Sequence, residues 1–173
     1  MAQTTGAMNL VDAQVEISAN GTTWYDISGS TNKLICAPQE ADVGEAATLD
    51  GQFMIGTAGK LKPVKLDVTI LYTETANEAF RIIEAQAELA ARPLWVRWIP
   101  SRGTGNFVYT TANPAGVAAA GILTKFPRPG ADAATAGPSM LDFSVWVSRI
   151  LRSTNNPSPS LSPSASASPS PSS

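Results

Sequence analysis

The sequence predicts a mainly β protein, a β-sandwich or barrel-like domain with one flanking α-helix. Short segments that alternate apolar and polar residues recur along most of the chain. Turns rich in Gly, Pro, Asn and Asp separate them, and one stretch alone changes to a helical period. The 173 residues, 43% of them hydrophobic, suffice for one core and hardly for two.

In "VDAQVEIS", Val11, Ala13, Val15 and Ile17 alternate with polar residues, and "ANGTTWYDISG" supplies a turn and a second strand over 22–27. Residues 28–44, "SGSTNKLICAPQEADVG", hold no sustained period and read as a long loop; loops beyond about 12–15 residues tend to be functional. Alternation resumes in "EAATLDGQFMIG", with Leu49, Phe53 and Ile55 opposite Thr48, Asp50 and Gln52. "TAGK" reads as the turn into "PVKLDVTILYT", where Leu66, Val68, Ile70 and Tyr72 share the apolar face. At Thr75 the period becomes helical. Thr75 and Glu78 fit a capping box, Phe80, Ile83 and Ala87 form the apolar stripe, and the helix is expected to reach about Ala91 before Pro93. "LWVRWIP" and "FVYTT" predict a third hairpin around "SRGTGN", and "VAAAGILTKF" and "SMLDFSVWVSRIL" the last two strands. The domain is expected over 1–152. Residues 153–173, "STNNPSPSLSPSASASPSPSS", carry no charge and one large apolar side chain, so they predict a disordered extension, expected to leave the outer surface.

Charge and composition exclude several functions. The net charge of -2, with both signs scattered, leaves no basic patch suited to tight nucleic-acid binding. A lone cysteine, Cys36, precludes an intrachain disulfide, and without histidine neither a thiolate-histidine metal site nor a Ser-His or Cys-His pair is available. No catalytic, cofactor-binding or metal-ligating residue is assigned, and no enzyme activity is expected. "GTAGK" lacks the P-loop frame, because Met54 stands where the first glycine belongs and Leu61 where Ser or Thr belongs. The opening residues have neither a positive n-region nor a continuous apolar h-region, so the chain reads as made inside the cell and soluble, with no membrane insertion.

Asp12, Glu16, Asp50, Asp67 and Asp142 fall on polar strand faces, by default solvated faces. Trp24, Tyr25, Trp95, Trp98 and Trp146 could stack on sugar rings, but packing is the simpler use of such side chains. Trp146 shares its face with Asp142, Ser144 and Ser148, and a tryptophan on a polar face suggests contact with another chain.

The order of these elements, with the strand pair of "EAATLDGQFMIGTAGKLKPVKLDVTILYT", the helix "TANEAFRIIEAQAELAA", the pair "LWVRWIP" and "NFVYTT", and the closing "AAGILTKF" and "MLDFSVWVSRI", resembles the major tail-tube protein of long-tailed bacteriophages over about residues 9–152. Contractile-tail and type VI secretion tubes share that fold. The resemblance implies stacked hexameric rings, a conduit for DNA ejection, in which strands near 45–56, 63–73, 117–126 and 140–150 of each copy join one ring-wide inner β-barrel. It implies a virion tail assembled in the host cytoplasm, with no cofactor. The implied partners are further copies, tape-measure, tail-terminator and baseplate proteins, and passing DNA. Asp50, Gln52, Asp67, Thr69, Asp142 and Ser144 are then lumen candidates, on a wall expected to be acidic or neutral. Lys33, Leu34, Ile35, Gln39, Glu40 and Asp42 lie in a loop expected to reach a neighbouring subunit or ring, and Trp146 is an interface candidate. Two alternatives compete: a secreted carbohydrate-binding β-sandwich with a Ser/Pro linker, which lacks a disulfide and a signal peptide here, and a tail-terminator or baseplate ring protein.

Overall fold

The computed structural model describes residues 13–46, 55–101, 107–130 and 138–154. Within them the chain forms β1 (Gln14–Ser18), β2 (Tyr25–Asp26), β3 (Thr31–Cys36), β4 (Ala41–Ala46), β5 (Ile55–Leu61), β6 (Val64–Leu71), α1 (Ala79–Ala87), β7 (Pro93–Ile99), β8 (Phe107–Ala112), β9 (Gly121–Lys125), β10 (Met140–Val147) and β11 (Arg149–Thr154). The architecture is a β-sandwich with one helix, and neither layer closes into a barrel. One layer runs β2-β1-β7-β8-β11 and the other β9-β10-β6-β3. β7 joins them, because Pro93 and Leu94 pair with β9 while the rest of the strand pairs with β1 and β8.

Period-2 patterning decides what each layer buries. Val64, Leu66, Val68 and Ile70 of β6 are at most 2% exposed, and Leu141, Phe143, Val145 and Val147 of β10 point the same way. They meet Val15, Ile17, Leu94, Val96 and Trp98 of the opposite layer in one core. Each such side chain contributes about 1.5–3 kcal/mol on burial, so this shared core is what binds the layers. β9 approaches β10 closely because residue 121 is glycine: a Cβ there would lie 2.4 Å from the Cγ1 atoms of both Val145 and Val147.

The helix lies over this sheet by its expected stripe. Phe80 and Ile83 are buried, and Phe80 meets Tyr72 edge-on at 4.8 Å and Phe126 at 5.5 Å. Its start differs from expectation. Glu78 is the N-cap and its side chain makes no capping bond, because Asn77 is left-handed at φ 66° and breaks the geometry that a capping box from Thr75 requires. The helix also ends at Ala87, short of Ala91.

The largest difference lies in residues 28–44, expected as a loop. β3 occupies 31–36 and pairs with β6, while β4 pairs with β5 in a separate two-stranded ribbon. "TAGK" therefore lies inside β5 and is not a turn. The expected pairing of 45–56 with 63–73 is replaced, for β6 lies between β3 and β10. "SMLDFSVWVSRIL" also divides at Ser148, and β11 crosses to the other layer to pair with β8.

Candidate functional site

The outward face of the β3-β6-β10-β9 layer gathers most of the lumen candidates. Antiparallel register sets them in rows: Lys33 opposite Thr69 and Thr69 opposite Asp142; Ile35 opposite Asp67, Asp67 opposite Ser144, and Ser144 opposite Lys125; Lys65 opposite Trp146 and Trp146 opposite Ile122. A sheet places cross-strand partners on the same side about 4.5–5.5 Å apart, so residues distant in sequence become one surface.

The surface is internally paired. The Thr69 hydroxyl donates to Asp142 Oδ1 at 2.6 Å, the Ser144 hydroxyl donates to Asp67 Oδ1, Lys65 Nζ lies 2.9 Å from Asp67, and Lys125 Nζ lies 4.0 Å from Asp142. Burial alone would raise the Asp67 carboxyl. The Ser144 hydroxyl and the ammonium groups of Lys65 and Lys125 outweigh it and hold the group below its ordinary value. Ser144 stands on this face but is only 1% exposed, so its hydroxyl serves Asp67 and offers little to solvent. Asp50 and Gln52 lie outside the described residues. Among the described residues of the face, Lys33, Lys65 and Lys125 stand with Asp67 and Asp142; Lys65 and Lys125 are paired, and Lys33 leaves this part of the face with one excess positive charge, where an acidic or neutral wall was expected.

At one end of the rows the polarity changes. Trp146 is 46% exposed and Ile122 58% exposed, side by side in register. Trp146 also borders a recess with Ala37, Pro38 and Pro63 at the root of the β4–β5 ribbon. The ribbon packs on neither layer along its length. Its described side chains are exposed, with Val43 at 68% and Leu61 at 62%. Lys62 reaches Asp42 at 3.1 Å and Glu40 at 3.9 Å, and the Gln39 amide donates to the Ser148 carbonyl at 3.1 Å; these contacts tie down the ribbon's root. Of the residues assigned to a reaching loop, Asp42 lies in this ribbon and Gln39 and Glu40 at its root. Lys33, Leu34 and Ile35 are sheet residues, and Leu34 packs against the core.

The other tryptophans are dispersed. Trp98 is buried in the core and stacked on Tyr109 at 5.4 Å, and Trp24 lies under the Arg97 guanidinium at 4.2 Å, on the opposite layer from Trp146. The five aromatic side chains therefore form no common sugar-stacking row. Among the described residues no three His, Cys, Asp or Glu are placed to hold a metal, and no helix is long and apolar enough to cross a membrane. What the arrangement offers is surface chemistry: a paired polar wall, an apolar end and a projecting ribbon.

No family model matches the sequence, and no curated protein matches it either. Solved structures do. A chain from the sheath-tube complex of an extracellular contractile injection system (PVC) in the extended state superposes with a TM-score of 0.65 at 9% identity, over 87% of this chain and 93% of that one. A chain from the sheath/tube terminator of the same kind of system gives 0.63 at 11% identity, over 85% and 96%. A chain from the tail of an empty GTA particle with C6 symmetry gives 0.57 at 11%, over 86% and 98%. At these identities the likeness is one of fold, and it extends over nearly the whole length of each neighbour: the chain has a tail-tube-like fold.

Proposed function

We propose that the chain is a structural tail protein. Its copies join into hexameric rings that stack as a tube, with the β3-β6-β10-β9 layer as the inner wall of a conduit for DNA. The observation that carries this reading is the direction of the two outer strands of that layer. β3 is antiparallel to β6, β6 to β10 and β10 to β9, so β3 and β9 run in opposite directions. The β9 edge of one copy can therefore continue antiparallel into the β3 edge of the next. Both edges have backbone groups available: β3 pairs on one side only among the described residues, and the pairing of β9 with β7, extended by the Leu123 N–H donating to the Arg92 carbonyl, covers Gly121 to Leu123 and leaves the Thr124–Lys125 end. A head-to-tail contact of this kind closes into a ring when the rotation allows, and closure removes the edges that would otherwise promote aggregation.

In that ring the paired rows of Asp67, Asp142, Thr69 and the lysines face the lumen. Four of the five charges described on this face are neutralised within each copy, so phosphates gain by counterion release only at Lys33 and the duplex slides. Trp146 and the β4–β5 ribbon lie at the end of the rows and are the contacts to a neighbouring subunit or the adjacent ring. Ser153 and Thr154 end β11 inside the domain, and the Ser/Pro-rich extension follows them; tape-measure, terminator and baseplate proteins are the further partners. The C6 symmetry of the GTA tail supports sixfold rings. A second reading, a terminator ring that does not stack indefinitely, is favoured by the near-equal similarity to the terminator chain. Negative-stain microscopy of the purified protein tests both. Long hollow tubes support the tube, single rings the terminator, and monomers that bind polysaccharide would overturn both.

A further inference from the structure

A polar recess of about 260 Å³ lies at the free end of β9, bounded by Thr124 of that strand, by Glu88 and Arg92 beyond the end of α1, and by Arg128. Arg128 is held by Glu88 at 3.0 Å. Arg92 is exposed and pairs with no carboxylate among the described residues, so the recess keeps one excess positive charge. Arg92 also has a left-handed backbone, at φ 44°. Its N–H donates to the Leu89 carbonyl, and its own carbonyl accepts from Leu123. Glycine would make both bonds without the strain that a side chain suffers in this conformation. What arginine adds here is therefore its guanidinium, and strain of this kind gathers where a side chain has a use. The opposite imbalance stands beyond the other edge of the sheet. β3 leads through Pro38 to Glu40 and Asp42, both exposed, and the Lys62 ammonium serves the two carboxylates, at 3.1 Å from Asp42 and 3.9 Å from Glu40. Lys65, which borders the same recess as Glu40, is held by Asp67.

We infer that Arg92 of one copy pairs with Glu40 of the next, a charge contact that locks each seam of the ring. The inference rests on the head-to-tail reading above, and strand direction brings the two together. Continued antiparallel, β3 of the next copy runs along β9 from its Lys125 end toward its Gly121 end. Arg92 already occupies that edge beside Leu123, so the incoming strand has to leave the sheet just past Thr124. Pro38, two residues beyond the end of β3, suits that exit, because it has no N–H to leave unpaired. The chain then carries Glu40 alongside Arg92. Arg128 with Glu88, and Lys62 with Asp42, stay satisfied within each copy, so the contact joins the cation and the carboxylate that each copy leaves over.

A pair between copies can be rebuilt by mixing, and that supplies the test. Arg92→Glu and Glu40→Arg should each raise the protein concentration at which rings or tubes form by at least about tenfold, since each sets like charges against one another at every seam. An equimolar mixture of the two variants should assemble within about threefold of the wild-type concentration, because alternating copies restore opposite charges at each seam. A pair within one chain gains nothing from mixing. Arg92→Gly separates the side chain from the backbone: its urea midpoint should equal or exceed that of the wild type, while the assembly concentration rises by about threefold or more. Asp132 follows Arg128 outside the described residues, so Asp132→Asn is the control and should leave assembly unchanged. Wild-type rings or tubes that respond to neither reversal, or reversals that mixing does not rescue, overturn the pair and leave the ring reading intact. An effect of Asp132→Asn equal to that of Arg92→Gly overturns it too, because Arg92 would then have its partner in its own chain. Wild-type protein that stays monomeric at every concentration overturns the head-to-tail contact and the pair with it.

Discussion

Thr69 and Asp142, 73 residues apart in sequence, stand directly opposite each other on β6 and β10, with the threonine hydroxyl donating to the carboxylate at 2.6 Å. The next row toward the ribbon repeats the arrangement with Asp67 and Ser144. A hydroxyl and a lysine thus serve each carboxylate from the same sheet, and the face holds both carboxylates without help from a partner.

Reversing that balance should change passage through the tube and not its formation. Asp67→Lys with Asp142→Lys would leave Lys33, Lys65 and Lys125 unopposed beside two new cations. Phosphate binding by counterion release then becomes favourable at every ring. Tubes should assemble normally under the microscope while DNA ejection slows and infectivity falls. Unchanged ejection kinetics would count against this face lining the lumen.

Asp67 also sets a pH dependence whose sign follows from its partners. Its folded carboxyl sits below the ordinary value of 3.8, so it contributes stability above that pH and loses it as the pH falls through the lower, folded value. Asp67→Asn should flatten the acid end of a plot of Tm against pH. Ser144→Ala removes the buried hydroxyl donor, moves the Asp67 carboxyl back up, and should cost about 1 kcal/mol near neutral pH, read by urea denaturation.

The sheet face was legible in the sequence because period 2 is a local signal: Leu66, Val68, Ile70 and Leu141, Phe143, Val145 declare which side is core, and Asp67, Thr69 and Asp142 follow on the other. The partner of β6 was not legible. "TNKLIC" carries Leu34 and Ile35 side by side, so it shows no alternation, and Pro38 and Gly44 punctuate the segment as they would a loop. Its strand character comes from the β6 edge beside it, a tertiary cause that no window of the sequence contains. The capping box failed for a smaller reason of the same kind. Thr75 and Glu78 have the right spacing, but Asn77 takes up a left-handed turn between them.

Gly121 makes the close packing of β9 on β10 testable. Gly121→Ala drives a methyl to within 2.4 Å of two valine methyls on adjacent buried positions and 2.9 Å of the Trp146 carbonyl oxygen. Neither Val145 nor Val147 has room to yield, since they are 0% and 2% exposed. The substitution should destabilise the protein by about 3 kcal/mol or more in urea denaturation, at the upper end of over-packing costs. Gly29→Ala, with nothing near the added methyl, is the matched control and should change little.

The ribbon and Trp146 should matter to assembly and not to the fold. Val43, Leu61 and Trp146 are exposed at 68%, 62% and 46%, and the monomer gives them little to pack against. Surface substitutions of this kind usually change stability by within about 0.5 kcal/mol. Trp146→Ala, and Val43→Asp with Leu61→Asp, should therefore leave the monomer's urea midpoint nearly unchanged while raising the concentration at which rings or tubes form. The two differ in what they remove. Trp146 is a rigid aromatic anchor beside Pro38 and Pro63, so its loss should act on dissociation and shorten tube lifetime after dilution. The aspartates place charge on a surface that would have to become buried, so they should block formation outright, even at high protein concentration. Tubes that form from the double aspartate variant at the wild-type concentration would show that the ribbon contacts nothing in the assembly.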